Sequence, residues 1–240
     1  MHAISGVSTM KNKQKIVSVN NLKVVFEIKQ SFINELFSKK RKIVKAVDGI
    51  SLDIYEGEIV SLVGESGSGK TTLGKAILNL APVSEGEVLF KGEAVDFKNR
   101  KEVKKFRQKA QMIFQDPYAS LNPRLTVYDT LGEALRTRHR LSGKALAAAV
   151  GGLMEKVGLN PALMKKYPHE FSGGQCQRVG IARALVVEPE VLVCDEPVSA
   201  LDVSVQAQII NLLKELQQER GLALVFIAHD LAVVRHISHR

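Results

Sequence analysis

The chain has 240 residues, 45% hydrophobic and 25% charged, with a formal net charge of +9 at pH 7. That length can bury a sizeable core and suits one domain, or one domain carrying an inserted subdomain, and the composition is ordinary for a soluble globular protein. No run approaches the roughly 18 consecutive apolar residues that span a bilayer, so work at a membrane requires another chain to hold this one there.

The basic residues cluster at Lys39, Lys40, Arg41, Lys42 and Lys45, from Arg100 to Lys109, and at Arg136, Arg138 and Arg140. Nucleic acid or an anionic lipid surface would explain such clusters, but no recognition motif accompanies them, and solvated helix faces and loops account for them more simply. Cys176 and Cys194 sit in apolar or helical patterns and are too few for a metal cluster or a disulfide framework, so they read as reduced, buried thiols.

In chain order, residues 1–15 are polar and lysine-rich and read as a poorly ordered N-terminus, not a secretory signal. Strand alternation runs from Ile16 through Leu22, Val24 and Phe26. The basic stretch Lys29 to Lys45 then reads as a surface loop, and strand signals return over Ile50 to Ile54. A turn at Glu56-Gly57-Glu58 leads into Ile59 to Val63, a β-branched run typical of a buried parallel strand. A glycine-rich loop and a helical pattern, Thr71 to Leu80, follow, and then a hairpin-like strand, Val88 to Phe90.

From Asp116 to Arg178 the pattern is mainly helical, with helices over Val127 to Arg138 and Ser142 to Val157, the second capped by Ser142 and stopped at Gly158. This reads as a helical subdomain inserted into an α/β core. The core resumes with a buried strand at Val191 to Cys194, a helix from Ser204 to Arg220 stopped by Gly221, and a third buried strand at Leu224 to Ala228. Such alternation implies a mainly parallel sheet covered on both faces, with the ligand at the carboxyl ends of its strands.

Gly64-Glu65-Ser66-Gly67-Ser68-Gly69-Lys70-Thr71 matches the phosphate-binding loop pattern, with a strand before it and a helix after. Glycines let successive backbone N–H groups curl toward phosphate oxygens, and the helix N-terminus adds partial positive charge. Lys70 can reach the β- and γ-phosphates, and the Thr71 hydroxyl can ligate Mg²⁺. Asp195 and Glu196 end a strand of the same sheet, where the first can hold Mg²⁺ and the second can polarise the attacking water. His229 ends the next strand, on the same sheet edge. Phe171-Ser172-Gly173-Gly174-Gln175 opens a further helix, Cys176 to Leu185, with Ser172 as N-cap and two glycines permitting close approach to an anion.

In this place the Ser172 run resembles the signature sequence of ABC ATPases, and the resemblance covers Leu22 to His229 with every motif in order. Gln115 resembles the glutamine that contacts Mg²⁺ and relays the nucleotide state to the membrane partner. Ser199-Ala200-Leu201-Asp202 looks like the loop that crosses to the partner subunit, His229 matches the switch histidine, and Phe26 is placed like the aromatic that stacks on adenine. The resemblance implies ATP and Mg²⁺ as cofactors. It places catalysis on Glu196, His229 and Gln115, and metal binding on Thr71, Gln115 and Asp195. Nucleotide contacts fall on Phe26, Gly64, Glu65, Ser66, Gly67, Ser68, Gly69, Lys70, Thr71, Thr72, Ser172, Gly173, Gly174 and Gln175.

The implied fold is a P-loop NTPase core with a mainly parallel sheet, an antiparallel β subdomain and an inserted α-helical subdomain. Residues 16–115 and 183–240 would form the core and 116–182 the helical subdomain, with the family's usual C-terminal portion expected to be missing beyond Arg240. The stretches Gln115 to Arg124, Tyr167 to Arg178 and Ala228 to Val234 resemble the ATPase subunits of oligopeptide and dipeptide importers; importers of nickel or glutathione share much of this pattern. The implied setting is the cytoplasmic face of the inner membrane. There a second, different ATPase subunit, two permease subunits and, indirectly, a periplasmic or extracellular peptide-binding protein would be partners, with no nucleic acid. A soluble ABC ATPase of DNA repair or translation fits less well, lacking its coiled-coil insertion or tandem domain, and a small-molecule kinase leaves Ser172 to Gln175 unexplained.

Overall fold

The computed structural model describes residues 13–28 and 42–240. Strand β1 (Lys15–Ile28) pairs antiparallel with β2 (Lys42–Tyr55) and with β4 (Glu85–Phe90), and β5 (Glu93–Ala94) extends the sheet in the order β2-β1-β4-β5. Val17, Val19, Leu22 and Val24 of β1 are buried, which is the sheet's inward side. The second sheet is parallel, with β3 (Ile59–Val63), β6 (Ala110–Ile113), β7 (Val191–Asp195) and β8 (Ala223–Ala228) in the order β3-β8-β7-β6.

Both faces of the parallel sheet are covered, so its central strands are apolar without interruption. Val193, Val225 and Ile227 pack on one face with Leu73, Ala76 and Ile77 of α1 (Lys70–Ile77) and Phe106 of α2 (Arg100–Lys109). Their neighbours Leu192, Cys194, Leu224 and Phe226 pack on the other face with α5 (Gly173–Leu185) and α6 (Val203–Arg220). Helices α3 (Val127–His139) and α4 (Gly143–Lys156) lie between β6 and α5 in sequence, and their buried Leu131, Val150 and Met154 join the same apolar cluster. Helix α7 (Leu231–Ile237) follows β8. Glu58 is fully buried, and its charge is met by the Arg240 guanidinium at 3.0 Å and by the Tyr55 backbone N–H at 3.0 Å.

Two expectations change, and two more gain detail. Lys15 already opens β1, so order begins earlier than supposed; residues 1–12 lie outside the described residues. The expected loop from Lys29 is described only from residue 42, and there Lys42 to Lys45 form strand because β1 supplies a backbone partner. The basic run Arg100 to Lys109 is one helix, anchored by buried Val103 and Phe106 and capped by Asn99, whose side chain accepts from the Lys101 N–H. Helix α5 runs through the expected subdomain boundary at residue 182.

Candidate active site

β3 ends at Val63 and α1 begins at Lys70, so the loop sits at a strand's carboxyl end and a helix's amino end. Gly69 turns the chain with φ of 91°, a left-handed conformation, and a Cβ there would collide with the Ala46 carbonyl oxygen of β2. The Lys70 ammonium lies inside the curl, donating to the carbonyls of Gly64 and Glu65, each at 2.7 Å, and to Ser68 Oγ at 3.3 Å.

The cleft above the loop encloses about 590 Å³, within the roughly 300–1,000 Å³ of small-molecule sites. Ser66 to Thr72 form its floor, Val44, Lys45 and Ala46 of β2 one wall, and Gln115, Glu196 and His229 the other. The β2 wall escaped sequence reasoning because that stretch reads as a loop. Phe26 is paired in register with Val44, one strand away from the cleft wall, and is 39% exposed. An exposed aromatic in that position leaves a flat apolar surface beside the cleft mouth.

The Thr71 hydroxyl donates to Asp195 Oδ1 at 2.6 Å, bringing two residues 124 apart together at the loop's base. Burial holds the Asp195 carboxyl above the usual aspartate range, and the Thr71 bond pulls the other way. The hydroxyl and carboxylate, which line a pocket together with Gln115, are hard oxygen donors of the kind Mg²⁺ takes.

Glu196 follows Asp195 in a left-handed turn, φ 44°, unusual for a residue with a side chain. The turn is held by the Glu196 N–H donating to the Ile227 carbonyl at 3.0 Å and by Ser199, whose N–H and hydroxyl both donate to the Glu196 carbonyl, at 3.2 and 3.1 Å. It turns the carboxylate toward the cleft, where Gln115 Nε2 donates to Oε2 at 3.0 Å and His229 Nδ1 lies 3.5 Å from the same oxygen. One carboxylate oxygen therefore faces both Gln115 and His229. Such a carboxylate is placed to accept a proton from water.

Ser172 to Gln175 are not part of this cleft's lining. Ser172 caps α5 reciprocally: its Oγ accepts from the Gln175 N–H at 3.3 Å, and Gln175 Oε1 accepts from the Ser172 N–H at 3.0 Å. Gly174 has a role the sequence did not suggest, since a Cβ there would overlap Val205 Cγ1 of α6. Its smallness lets two helices approach, whatever else it does. Asp202 occupies the N-cap position of α6 without a side-chain capping bond, and Gln206 Nε2 donates to the Leu201 carbonyl at 2.9 Å, tying down the loop from Ser199 to Asp202.

Residues 47–199 match the family described as ABC transporter. The oligopeptide transport ATP-binding protein OppF of Haemophilus influenzae is 53% identical over 230 residues, covering 95% of this chain and 69% of the relative. OppF of Bacillus subtilis is 55% identical over 219 residues, covering 90% and 71%. The glutathione import ATP-binding protein GsiA of Escherichia coli is 48% identical, covering 97% of this chain and 37% of its own length. Among solved structures, the dimeric post-hydrolysis state of the ATP-binding cassette MJ0796, bound to ADP and Pi, superposes with a TM-score of 0.79 at 31% identity, covering 92% and 90% of the two chains. The folded core, the phosphate loop and these relatives agree: this chain belongs to the ABC transporter family, as one of its ATPase subunits.

Proposed function

We propose that this chain hydrolyses ATP to drive import of oligopeptides, with the site residues in the roles the sequence suggested. The observation that carries the reading is the convergence of Lys70, Thr71 and the Gln115–Glu196–His229 group on one cleft, with Asp195 bonded to Thr71. In it, Gly64 to Thr72 hold the phosphates and Phe26 offers its face to the base. Glu196 orients the attacking water and takes its proton, while His229 and Gln115 hold the carboxylate in place. Thr71, Asp195 and Gln115 would hold Mg²⁺, which supplies charge neutralisation between phosphate oxygens when bound.

The capped end of α5 at Ser172 lies apart from the chain's own Lys70 cleft, which supports a role toward a nucleotide held by a second subunit. Two such subunits closing on ATP, seated peripherally on two membrane permeases, would convert hydrolysis into the permeases' motion. We take that second subunit to be a different ATPase chain, and the core and helical subdomain to divide near residues 116 and 182. Peptide cargo is supported by the names of the OppF relatives. The similarity to GsiA supports a second reading, glutathione, less strongly. No helix among the described residues is long and apolar enough to cross a membrane.

Glu196→Gln keeps size and hydrogen bonding while removing the base. ATP turnover is expected to fall at least about 100-fold, the lower range for a general base, with binding of a fluorescent ATP analogue retained. Turnover at the wild-type rate refutes the assignment. Cargo is tested by competition: unlabelled oligopeptides should displace labelled peptide uptake in membranes carrying the assembly, and glutathione should not.

A further inference from the structure

The segment that follows Gln115 is fastened to α5 near both of that helix's ends. Asp116 Oδ1 accepts from the N–H groups of Tyr118 at 2.9 Å and Ala119 at 3.0 Å, closing a compact turn. From that turn the Tyr118 hydroxyl donates to the Phe171 carbonyl at 2.8 Å, one residue ahead of the Ser172 cap. Near the far end of α5, the half-buried Arg183 donates from Nη1 to the Ser120 carbonyl. Between these two bonds Gly180 faces Ser120, a Cβ there meeting Oγ at 3.8 Å. At its other end the segment begins at Gln115, bonded to Glu196 at 3.0 Å.

Both bonds to α5 involve a main-chain carbonyl. A main-chain acceptor cannot swing aside as a side chain can, so through the Tyr118 bond a displacement of the turn is passed to the chain at Phe171, whereas the Arg183 bond holds the turn's own main chain to α5. Tyr118 is 45% exposed and so adds little to core burial, while its hydroxyl donates to the Phe171 carbonyl and also interacts with the Cys176 thiol of α5. We infer that Tyr118 is a positioning residue for ATP turnover: its hydroxyl fixes the amino end of α5 to the turn after Gln115, so that a change at Glu196 moves Ser172 in the same chain. The inference rests on the paired arrangement proposed above, in which Ser172 faces the nucleotide of the second subunit. A change at one nucleotide is thereby communicated to the other.

The test uses the assembly purified through a tag on this chain. Tyr118→Phe is expected to lower kcat for ATP about three- to ten-fold, the weight of one neutral hydrogen bond. The KM for ATP and the chain's affinity for a fluorescent ATP analogue should change less than about two-fold. Arg183→Met, which removes the second bond, should lower kcat in the same direction. A Tyr118→Phe assembly with wild-type kcat overturns the inference. So does an equal loss of kcat, nucleotide affinity and melting temperature, the pattern of general structural damage. Glu196→Gln run alongside separates the two levels: if it turns over ATP normally, the role of Glu196 in the proposed function fails and takes this inference with it. An inactive Glu196→Gln beside a fully active Tyr118→Phe sinks this inference alone.

Discussion

Replacing Gly174 by alanine sets two effects of opposite sign against each other. Gly174 lies in the first turn of α5 in ordinary helical conformation, so alanine alone would stabilise the helix by at most about 1 kcal/mol. Its Cβ, however, would overlap Val205 Cγ1, while Val205 Cβ and Cγ2 stand at 3.7 and 3.9 Å, ordinary contact distances. Overpacking of this kind costs about 1–3 kcal/mol, so a net loss of about 1–2 kcal/mol is expected. For a chain of this size that is a fall of roughly 2–8 °C in melting temperature. Val205→Ala removes the offending methyl and leaves only the 3.7 Å contact, so in that background Gly174→Ala should be neutral or slightly stabilising. The assay is a double-mutant cycle by thermal or urea unfolding, with an expected coupling of about 1–3 kcal/mol. If Gly174→Ala is as harmful beside Ala at 205 as beside Val, helix contact is not why glycine stands there.

Three further outcomes are expected. Gly69→Ala combines a left-handed φ with a collision against main chain, so the phosphate loop must open: affinity for a fluorescent ATP analogue should drop at least about ten-fold, and unchanged affinity would contradict the geometry. The Asp195 carboxyl is held above its unfolded value of 3.8, so the native state keeps a proton the unfolded chain has lost, and this group's contribution to stability falls as pH rises from there through its native value. Thr71→Val, which removes the bond opposing that shift, should steepen the fall and Asp195→Asn should flatten it; melting curves from pH 4 upward that coincide for all three proteins would refute this. Burial pushes the Cys176 thiol up to about 11 and the Cys194 thiol up to about 12, so iodoacetamide at pH 8 should label both only as fast as the chain unfolds, and rapid labelling of the native protein would count against their burial.

The sequence announced the cleft more fully than the frame around it. Lys70, Asp195, Glu196 and His229 are legible because each follows or ends a short apolar run, and parallel strands buried on both faces must be apolar without interruption. Helix α2 was less legible because its inward stripe is only Val103 and Phe106 among cations. Strand β6 was missed altogether, since Ala110 ends α2 and begins the strand with no turn residue between. Lys42 to Lys45 have strand structure only because β1 lies beside them. The bonds of Tyr118 and Arg183 leave no trace in local pattern, for both depend on what a tertiary neighbour's main chain presents.

Among the described residues, the strand that carries the phosphate loop pairs in its sheet with β8 alone, the two about 160 residues apart in sequence, and its other side bonds to the main chain of His239 and Arg240. As the polypeptide leaves the ribosome, Ile59 to Val63 must therefore wait for Ala223 to Ala228 before they gain a ladder, whereas α3 and α4 can close on each other within a few dozen residues. The seat for ATP is thus assembled later than the helices that lie between it and β8 in sequence. Occupancy of the Lys70 loop by nucleotide then doubles as a sign that synthesis has passed β8, and nascent chains stalled earlier would carry the motif without the ability to grip a phosphate.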